Sequence, residues 1–138
     1  MKELDLLKIL QKTINLFKHE SQVDFKINQN NISSFTILGD ENQLIRVFNN
    51  LIQNSLQAMN NKGLIEINFI KTRANLVVHF IDNGPGIPLA IHQKIFEPKF
   101  TTKSKGKGLG LALVWQIISN HNAKIRIFHN SQGAYFVI

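Results

Sequence analysis

A short gap between two β-type segments constrains the fold of this chain more than any other feature. Leu64–Lys71 and Leu76–Ile81 are rich in Ile, Val and Phe and are separated only by Thr72–Asn75. Because parallel strands need a crossover of a dozen or more residues, a connection this short predicts an antiparallel hairpin. The sheet of this protein is therefore not purely parallel.

Amphipathic helices are predicted on both sides of this hairpin. Apolar residues recur at intervals of three and four over Lys2–Lys18 and again over Leu109–Asn120. A further helix begins at Asp40, which can cap it with Gln43 three residues later. That helix ends near Asn60–Gly63, whose asparagines and glycine tolerate positive φ.

The remaining β-type segments are short and alternate apolar with polar residues. They are Val23–Ile27, Lys124–Phe128 and Ala134–Ile138. A loop is predicted at Asn28–Ser34 and a short helix at Leu89–Ile95. Strands interleaved with helices, with hairpins among them, predict a mixed, mostly antiparallel sheet that carries its helices on one face. The predicted fold class is α+β, a two-layer α/β sandwich, with residues 1–138 as a single domain.

Composition excludes several kinds of function. The 138 residues include no cysteine, so neither a disulfide framework nor a thiolate metal site can form. No apolar run approaches the roughly 20 residues of a membrane helix, and we expect a cytoplasmic chain without membrane contact. The net charge of +7 favours an anionic partner. Nucleic acid is not expected to be that partner, because the basic residues are scattered except within residues 99–107.

Three polar segments can carry chemistry. Asn50 and Asn54 lie one helical turn apart, where amide oxygens suit a hard cation such as Mg²⁺ or are simply solvated. Asp82 follows a hydrophobic strand and opens a Gly-Pro-Gly turn, where its carboxylate can accept a hydrogen bond from an exocyclic amine or cap the turn. Gly106–Leu111 opens a helix, so its backbone N–H groups can surround phosphate oxygens.

These segments occur in an order that resembles one family. Asn50–Asn54 resembles the N box, Asp82–Pro88 the G1 box, Ile95–Lys103 the F box and Gly106–Leu111 the G2 box of the GHKL (Bergerat-fold) ATPases. The resemblance covers residues 40–138, and Gly133–Phe136 is similar to the last glycine-plus-aromatic strand of the family. The motifs are most similar to those in the catalytic, ATP-binding domain of sensor histidine kinases of the nitrogen-regulation type.

The resemblance implies a role for each matched residue. Asn54 would be the main Mg²⁺ ligand with Asn50 assisting, and Asp82 would receive the adenine amino group of ATP. Phe96 and Phe100 would anchor a lid over the nucleotide. The other positions implied to contact ATP are Gly84, Gly86, Ile87, Thr102, Lys103, Gly106, Lys107, Gly108, Leu109, Gly110 and Leu111.

Departures from the family pattern bear on the mechanism. Gln57 stands where many histidine kinases have Lys, Lys107 where Thr is common, and Asn122-Ala123 where Gly-Gly is usual. Asn50 stands where ATP-hydrolysing relatives of the fold carry a Glu as general base for water, and an amide cannot take that proton. The sequence therefore favours phosphotransfer over hydrolysis.

The phosphoacceptor histidine of such kinases lies in a helical hairpin before the N box. His19-Glu20 resembles the start of its signature, but no Pro follows within the window. We therefore expect a histidine on a separate dimerisation module to receive the phosphate. The helix within residues 1–20 would adjoin that module, and a response regulator would act downstream. Two alternatives stay open, a stand-alone serine kinase of the anti-sigma-factor type and a nucleotide-binding regulatory module without catalytic output.

Overall fold

The computed structural model describes residues 1–18, 22–73, 75–84, 110–128 and 135–137. Within these ranges the helices are α1 (Leu6–Asn15), α2 (Glu41–Ala58) and α3 (Gly110–Asn120). The strands in the same ranges are β1 (Lys2–Asp5), β2 (Gln22–Asn28), β3 (Thr36–Gly39), β4 (Lys62–Lys71), β5 (Leu76–Asp82), β6 (Arg126–Phe128) and β7 (Tyr135–Val137).

Five of the described strands form one sheet in the order β2-β4-β5-β7-β6. β2 and β4 are parallel, whereas the three other neighbouring pairs are antiparallel. The predicted hairpin between β4 and β5 is confirmed, because Lys71 pairs with Leu76 and the Thr72 amide donates to the Asn75 carbonyl at 2.9 Å. The sheet is mixed and mostly antiparallel, as the sequence predicts.

The helices cover the inner face of this sheet. Ile65, Ile67 and Phe69 of β4 are buried, as are Val78 and Phe80 of β5, and they belong to one hydrophobic cluster with apolar residues of all three helices. Alternate residues of a strand point to the same face, so both strands contribute every second side chain to the core. This arrangement confirms the two-layer α+β sandwich.

The N-terminal segment differs from the predicted helix over Lys2–Lys18. Lys2–Asp5 is a strand that pairs antiparallel with β3, a strand that the sequence did not predict. The Asp5 side chain then caps α1 by accepting the Lys8 amide hydrogen at 3.0 Å. An apolar residue at Leu4 fits a strand period as well as a helix period, and the pairing with β3, distant in sequence, decides between them.

The ends of α2 and α3 are as predicted. Asp40 Oδ1 accepts the Gln43 amide hydrogen at 3.2 Å, which confirms Asp40 as the N-cap of α2. Asn60 and Asn61 follow α2 with φ of 55° and 61°, and Asn122 follows α3 with φ of 56°. Asn tolerates this left-handed conformation better than most residues, so it replaces the usual glycine at both helix ends.

The other predicted strands are confirmed in whole or in part. β2 contains the predicted Val23–Ile27. β6 occupies the last three residues of the predicted Lys124–Phe128, and β7 the central three of the predicted Ala134–Ile138. The predicted helix Leu89–Ile95 lies outside the described residues. Within the described ranges, no helix combines the length and apolar character that crossing a bilayer requires.

Candidate functional site

A buried carboxylate lies at the end of β5. Asp82 is only 2% exposed, and each of its two oxygens accepts a hydrogen bond. The Ser55 hydroxyl donates to Oδ2 at 2.7 Å, and the Gly84 amide donates to Oδ1 at 3.0 Å. These two bonds come from different elements of the fold and orient the carboxylate, whose oxygens offer about four acceptor positions.

The strand register explains why this carboxylate points inward. Val78, Phe80 and Asp82 occupy alternate positions of β5, and all three are buried. Asp82 therefore continues the row of core side chains to the point where the strand ends. Ser55 lies on the buried stripe of α2, in the turn that follows Leu51, so the helix presents a hydroxyl donor to that end of the sheet.

The turn after Asp82 is attached to the start of β4. Asn83 donates its amide hydrogen to the Leu64 carbonyl at 3.2 Å, and its side-chain Oδ1 accepts the Leu64 amide hydrogen at 3.0 Å. Gly63 has φ of +151°, and a Cβ there would lie 2.4 Å from Asn83 Oδ1. A side chain at position 63 would displace Asn83, so glycine is needed for this attachment.

Gly84 approaches the carboxylate closely. A Cβ at this position would lie 3.2 Å from both Asp82 Oδ1 and Met59 Cγ. The bond from the Gly84 amide, two residues along the chain, is the turn-capping contact that the sequence left open as an alternative for Asp82. Turn capping does not account for the second bond, from Ser55, because that hydroxyl belongs to another element of the fold.

The paired amides lie on α2, on the N-terminal side of Ser55. Asn50 and Asn54 are both half-buried and are one helical turn apart, as the sequence predicts. Asn54 directly precedes Ser55, so the same turn of α2 bears a candidate Mg²⁺ ligand and the donor to Asp82. Within the described residues, no group of three or more His, Asp or Glu side chains could hold a metal ion.

The fold brings the start of α3 to the same helical layer. Gly110 is the first residue of α3, Leu111 is partly buried against the core, and α3 packs beside α2. The other predicted nucleotide contacts lie outside the described residues, and they are Gly86, Ile87, Phe96, Phe100, Thr102, Lys103, Gly106, Lys107, Gly108 and Leu109.

Sequence reasoning missed the role of Ser55. The sequence motifs assign Ser55 no function, whereas in the structure its hydroxyl donates to Asp82 Oδ2. A signal was present, because a serine in an otherwise apolar stripe requires a buried hydrogen-bond partner. The identity of that partner depends on how α2 lies against β5, which the sequence pattern does not contain.

Two other features lie apart from this site. His79 lies on β5 three residues before Asp82, so the two side chains point to opposite faces of the sheet. His79 is half-buried, and burial lowers its pKa below the usual value of 6.5. A depression of about 520 Å³ is lined by residues of α3 and by Lys124 and Arg126, and none of its lining residues belongs to the predicted nucleotide site.

Comparison with known proteins identifies related domains. Residues 39–138 match the family model described as histidine kinase-, DNA gyrase B-, and HSP90-like ATPase. The chain is 41% identical to sporulation kinase A of Bacillus subtilis (strain 168) over 106 residues, covering 76% of this chain and 18% of that protein. It is also 41% identical, over 103 residues, to the sensory histidine kinase/phosphatase NtrB of Rhodobacter capsulatus, covering 65% of this chain and 29% of NtrB.

A solved structure shows the same fold over nearly the whole chain. The catalytic domain of the histidine kinase ThkA matches with a TM-score of 0.88 and 29% identity, covering 99% of this chain and 91% of that one. The chain spans less than a third of the length of the two curated relatives. Since sporulation kinase A and NtrB are equally similar in sequence, the nitrogen-regulation type is not singled out.

Proposed function

Since this chain belongs to the histidine kinase-, DNA gyrase B-, and HSP90-like ATPase family and is related to histidine kinase catalytic domains, we propose that it binds Mg-ATP and donates the γ-phosphate to a histidine. The acceptor would lie on a separate dimerisation module of a two-component sensor kinase. The observation that carries the proposal is the buried Asp82 carboxylate, held by Ser55 and Gly84 at the end of β5.

A carboxylate in this position suits adenine. The ionised Asp82 side chain only accepts hydrogen bonds, and the exocyclic amine of adenine donates them. Guanine carries an oxygen at the corresponding ring position, so it would leave the buried carboxylate facing another acceptor. We therefore infer that Asp82 selects adenine nucleotides and that Gly84, with Gly86 and Ile87 beyond it, lines the base pocket.

The phosphates and the cation would lie towards α2 and the start of α3. Asn50 and Asn54 supply amide oxygens that fit Mg²⁺, which prefers oxygen ligands and completes its shell with water and phosphate oxygens. When bound, Mg²⁺ neutralises charge on the phosphates. The proposed phosphate and lid contacts are Phe96, Phe100, Thr102, Lys103, Gly106, Lys107, Gly108, Leu109, Gly110 and Leu111.

The residue types favour transfer over hydrolysis. Asn50 has no basic atom with which to take a proton from water, so the chain offers no general base at that position. A histidine nitrogen on another module is itself a nucleophile, and it needs positioning and charge stabilisation more than a protein base. The chain's own residues would bind and orient the nucleotide for that attack.

The proposed function implies two protein partners, a response regulator and a dimerisation module. The related kinase ThkA is described in complex with the response regulator protein TrrA, which supports a response regulator downstream of this chain. We propose that residues 1–138 form one catalytic, ATP-binding domain, that residues 1–20 adjoin the dimerisation module, and that the domain works in the cytoplasm. A parent kinase of the nitrogen-regulation type is one proposal, supported by the similarity to NtrB.

The proposal is tested by following the phosphate. The chain is incubated with ATP radiolabelled at the γ-position, alone and with the histidine-containing module of its own kinase. We expect label on the module only, lost in acid and retained in alkali as for phosphohistidine. Acid-stable label on the chain alone would favour the serine-kinase alternative, and binding without any transfer would favour a regulatory module.

A further inference from the structure

We propose that Ser55 is a positioning residue that makes the site selective for purines with a 6-amino group, by fixing the orientation of the Asp82 carboxylate. This inference rests on the proposed nucleotide function. It assigns a role to a residue that lies outside the motif positions matched above.

The direction of the bond between the two residues is determined by their chemistry. An ionised carboxylate has no hydrogen to donate, so the Ser55 hydroxyl must be the donor in the 2.7 Å contact with Asp82 Oδ2. Both side chains are 2% exposed, so the bond is shielded from competing solvent. Bonds between an O–H donor and a charged acceptor are about twice as strong as neutral ones.

The carboxylate is held from two sides by different elements. Ser55 binds Oδ2 from α2, and the Gly84 amide binds Oδ1 from the turn after β5. Rotation of the carboxylate plane would break both bonds at once, so the direction in which the oxygens can accept a further hydrogen bond is set before a ligand arrives. Such preorganisation reduces the free energy lost on binding.

Removal of the hydroxyl would have a specific consequence. In a Ser55→Ala variant Oδ2 loses the donor from α2, while Oδ1 keeps the Gly84 amide, so one of the two bonds that orient the carboxylate from opposite sides is removed. A ligand amine would then bind a carboxylate whose orientation is less restricted. A ligand without a 6-amino group would lose nothing by this change.

A purely structural role for Ser55 makes a different prediction. If the hydroxyl only stabilises the buried carboxylate, its loss would lower the stability of the domain and weaken every nucleotide alike. The two roles are therefore separated by comparing ATP with purine riboside 5′-triphosphate, which has the same phosphates and sugar but a hydrogen at position 6.

The experiment measures the dissociation constants of both nucleotides by calorimetry, in the presence of Mg²⁺, for the unmodified chain and for Ser55→Ala. We expect Ser55→Ala to weaken ATP about tenfold, the size of one hydrogen bond to a charged group. Purine riboside triphosphate should change by less than about twofold. Ser119→Ala, at an exposed position of α3, is the matched control and should alter neither constant.

A second variant keeps the test informative if Ser55→Ala does not fold. Ser55→Cys keeps a similar volume and a weaker donor, so it should give a smaller loss, again confined to ATP. Equal weakening of both nucleotides, or no weakening of ATP in either variant, would overturn the positioning role while leaving the proposed function intact. Failure of the unmodified chain to bind either nucleotide would instead overturn the proposed function.

Discussion

His121 joins the end of α3 to the start of α2 through both nitrogens of its ring. Nε2 accepts the Asp40 amide hydrogen at 3.0 Å, and Nδ1 lies 2.8 Å from the Ile117 carbonyl, to which it donates. One neutral tautomer, with the hydrogen on Nδ1, makes both bonds. The bond to Asp40 replaces the return contact that Gln43 would make in a capping box, so the residue that follows α3 completes the N-cap of α2.

This relationship predicts that His121→Ala destabilises the domain. The variant removes one bond that closes α3 and one that caps α2, so we expect the free energy of unfolding to fall by about 1–3 kcal/mol. Urea denaturation measures this change. Asn120→Ala, at the exposed neighbouring position, is the control. A loss no greater than that of the control would show that the His121 bonds contribute nothing.

Asp82→Asn should weaken adenine nucleotides while leaving the fold intact. The amide keeps the size of the carboxylate, but it replaces one acceptor oxygen with a donor that faces either the ligand or one of the present partners. We expect a loss of about 1–3 kcal/mol in ATP binding, measured by calorimetry. Asp24→Asn, at an exposed position of β2, is the matched control. Equal affinity of the unmodified chain for ATP and GTP would contradict the role given to Asp82.

Asn54→Ala should reduce the effect of Mg²⁺ on nucleotide binding. The unmodified chain should bind ATP more tightly with Mg²⁺ than without it, because in the proposed site the amide and phosphate oxygens would share the cation. In the variant we expect this difference to shrink about tenfold or more, the scale of one good ligand. Gln53→Ala removes an exposed amide from the same turn and should leave the difference unchanged. A variant that keeps the full Mg²⁺ dependence would remove Asn54 from the metal site.

Stability should decline below pH 6.5 in part because of His79. Burial lowers the pKa of His79 in the folded chain below the unfolded value of 6.5. As pH falls through 6.5, the unfolded chain therefore takes up this proton before the folded chain, and the free energy of unfolding decreases. Urea denaturation at several pH values should show a shallower decline for His79→Gln than for the unmodified chain. Parallel declines would mean that His79 does not contribute.

The parts of the fold that the sequence predicts are those with local signals. The cap at Asp40, the asparagines after α2 and α3, and the four-residue connection between β4 and β5 each depend on neighbouring residues alone. The sequence predicts a helix at Lys2–Asp5, whereas the conformation of this segment is determined by pairing with β3, more than thirty residues away. Propensity is a weak guide when a distant partner decides the outcome.

The same distinction applies to the site. Asn50, Asn54 and Asp82 could be selected from the sequence because each lies in a recognisable local pattern. Ser55 could not be assigned to Asp82, since the two residues come from a helix and a strand whose packing brings them together. The role of Asn83 as a link to Leu64 likewise depends on the register between β4 and β5.

That register has a practical consequence for preparing the protein. Ile65 pairs with Asp82 and Ile67 with Phe80, and Asn83 and Gly63 close this end of the ladder. A slip of one residue would turn Ile81 towards the helices and expel Asp82 to the outer face. A mispaired molecule would thus lose its core and the carboxylate proposed to bind adenine in a single error. We expect the molar fraction of a refolded sample that titrates with ATP to equal the fraction that has paired its strands correctly.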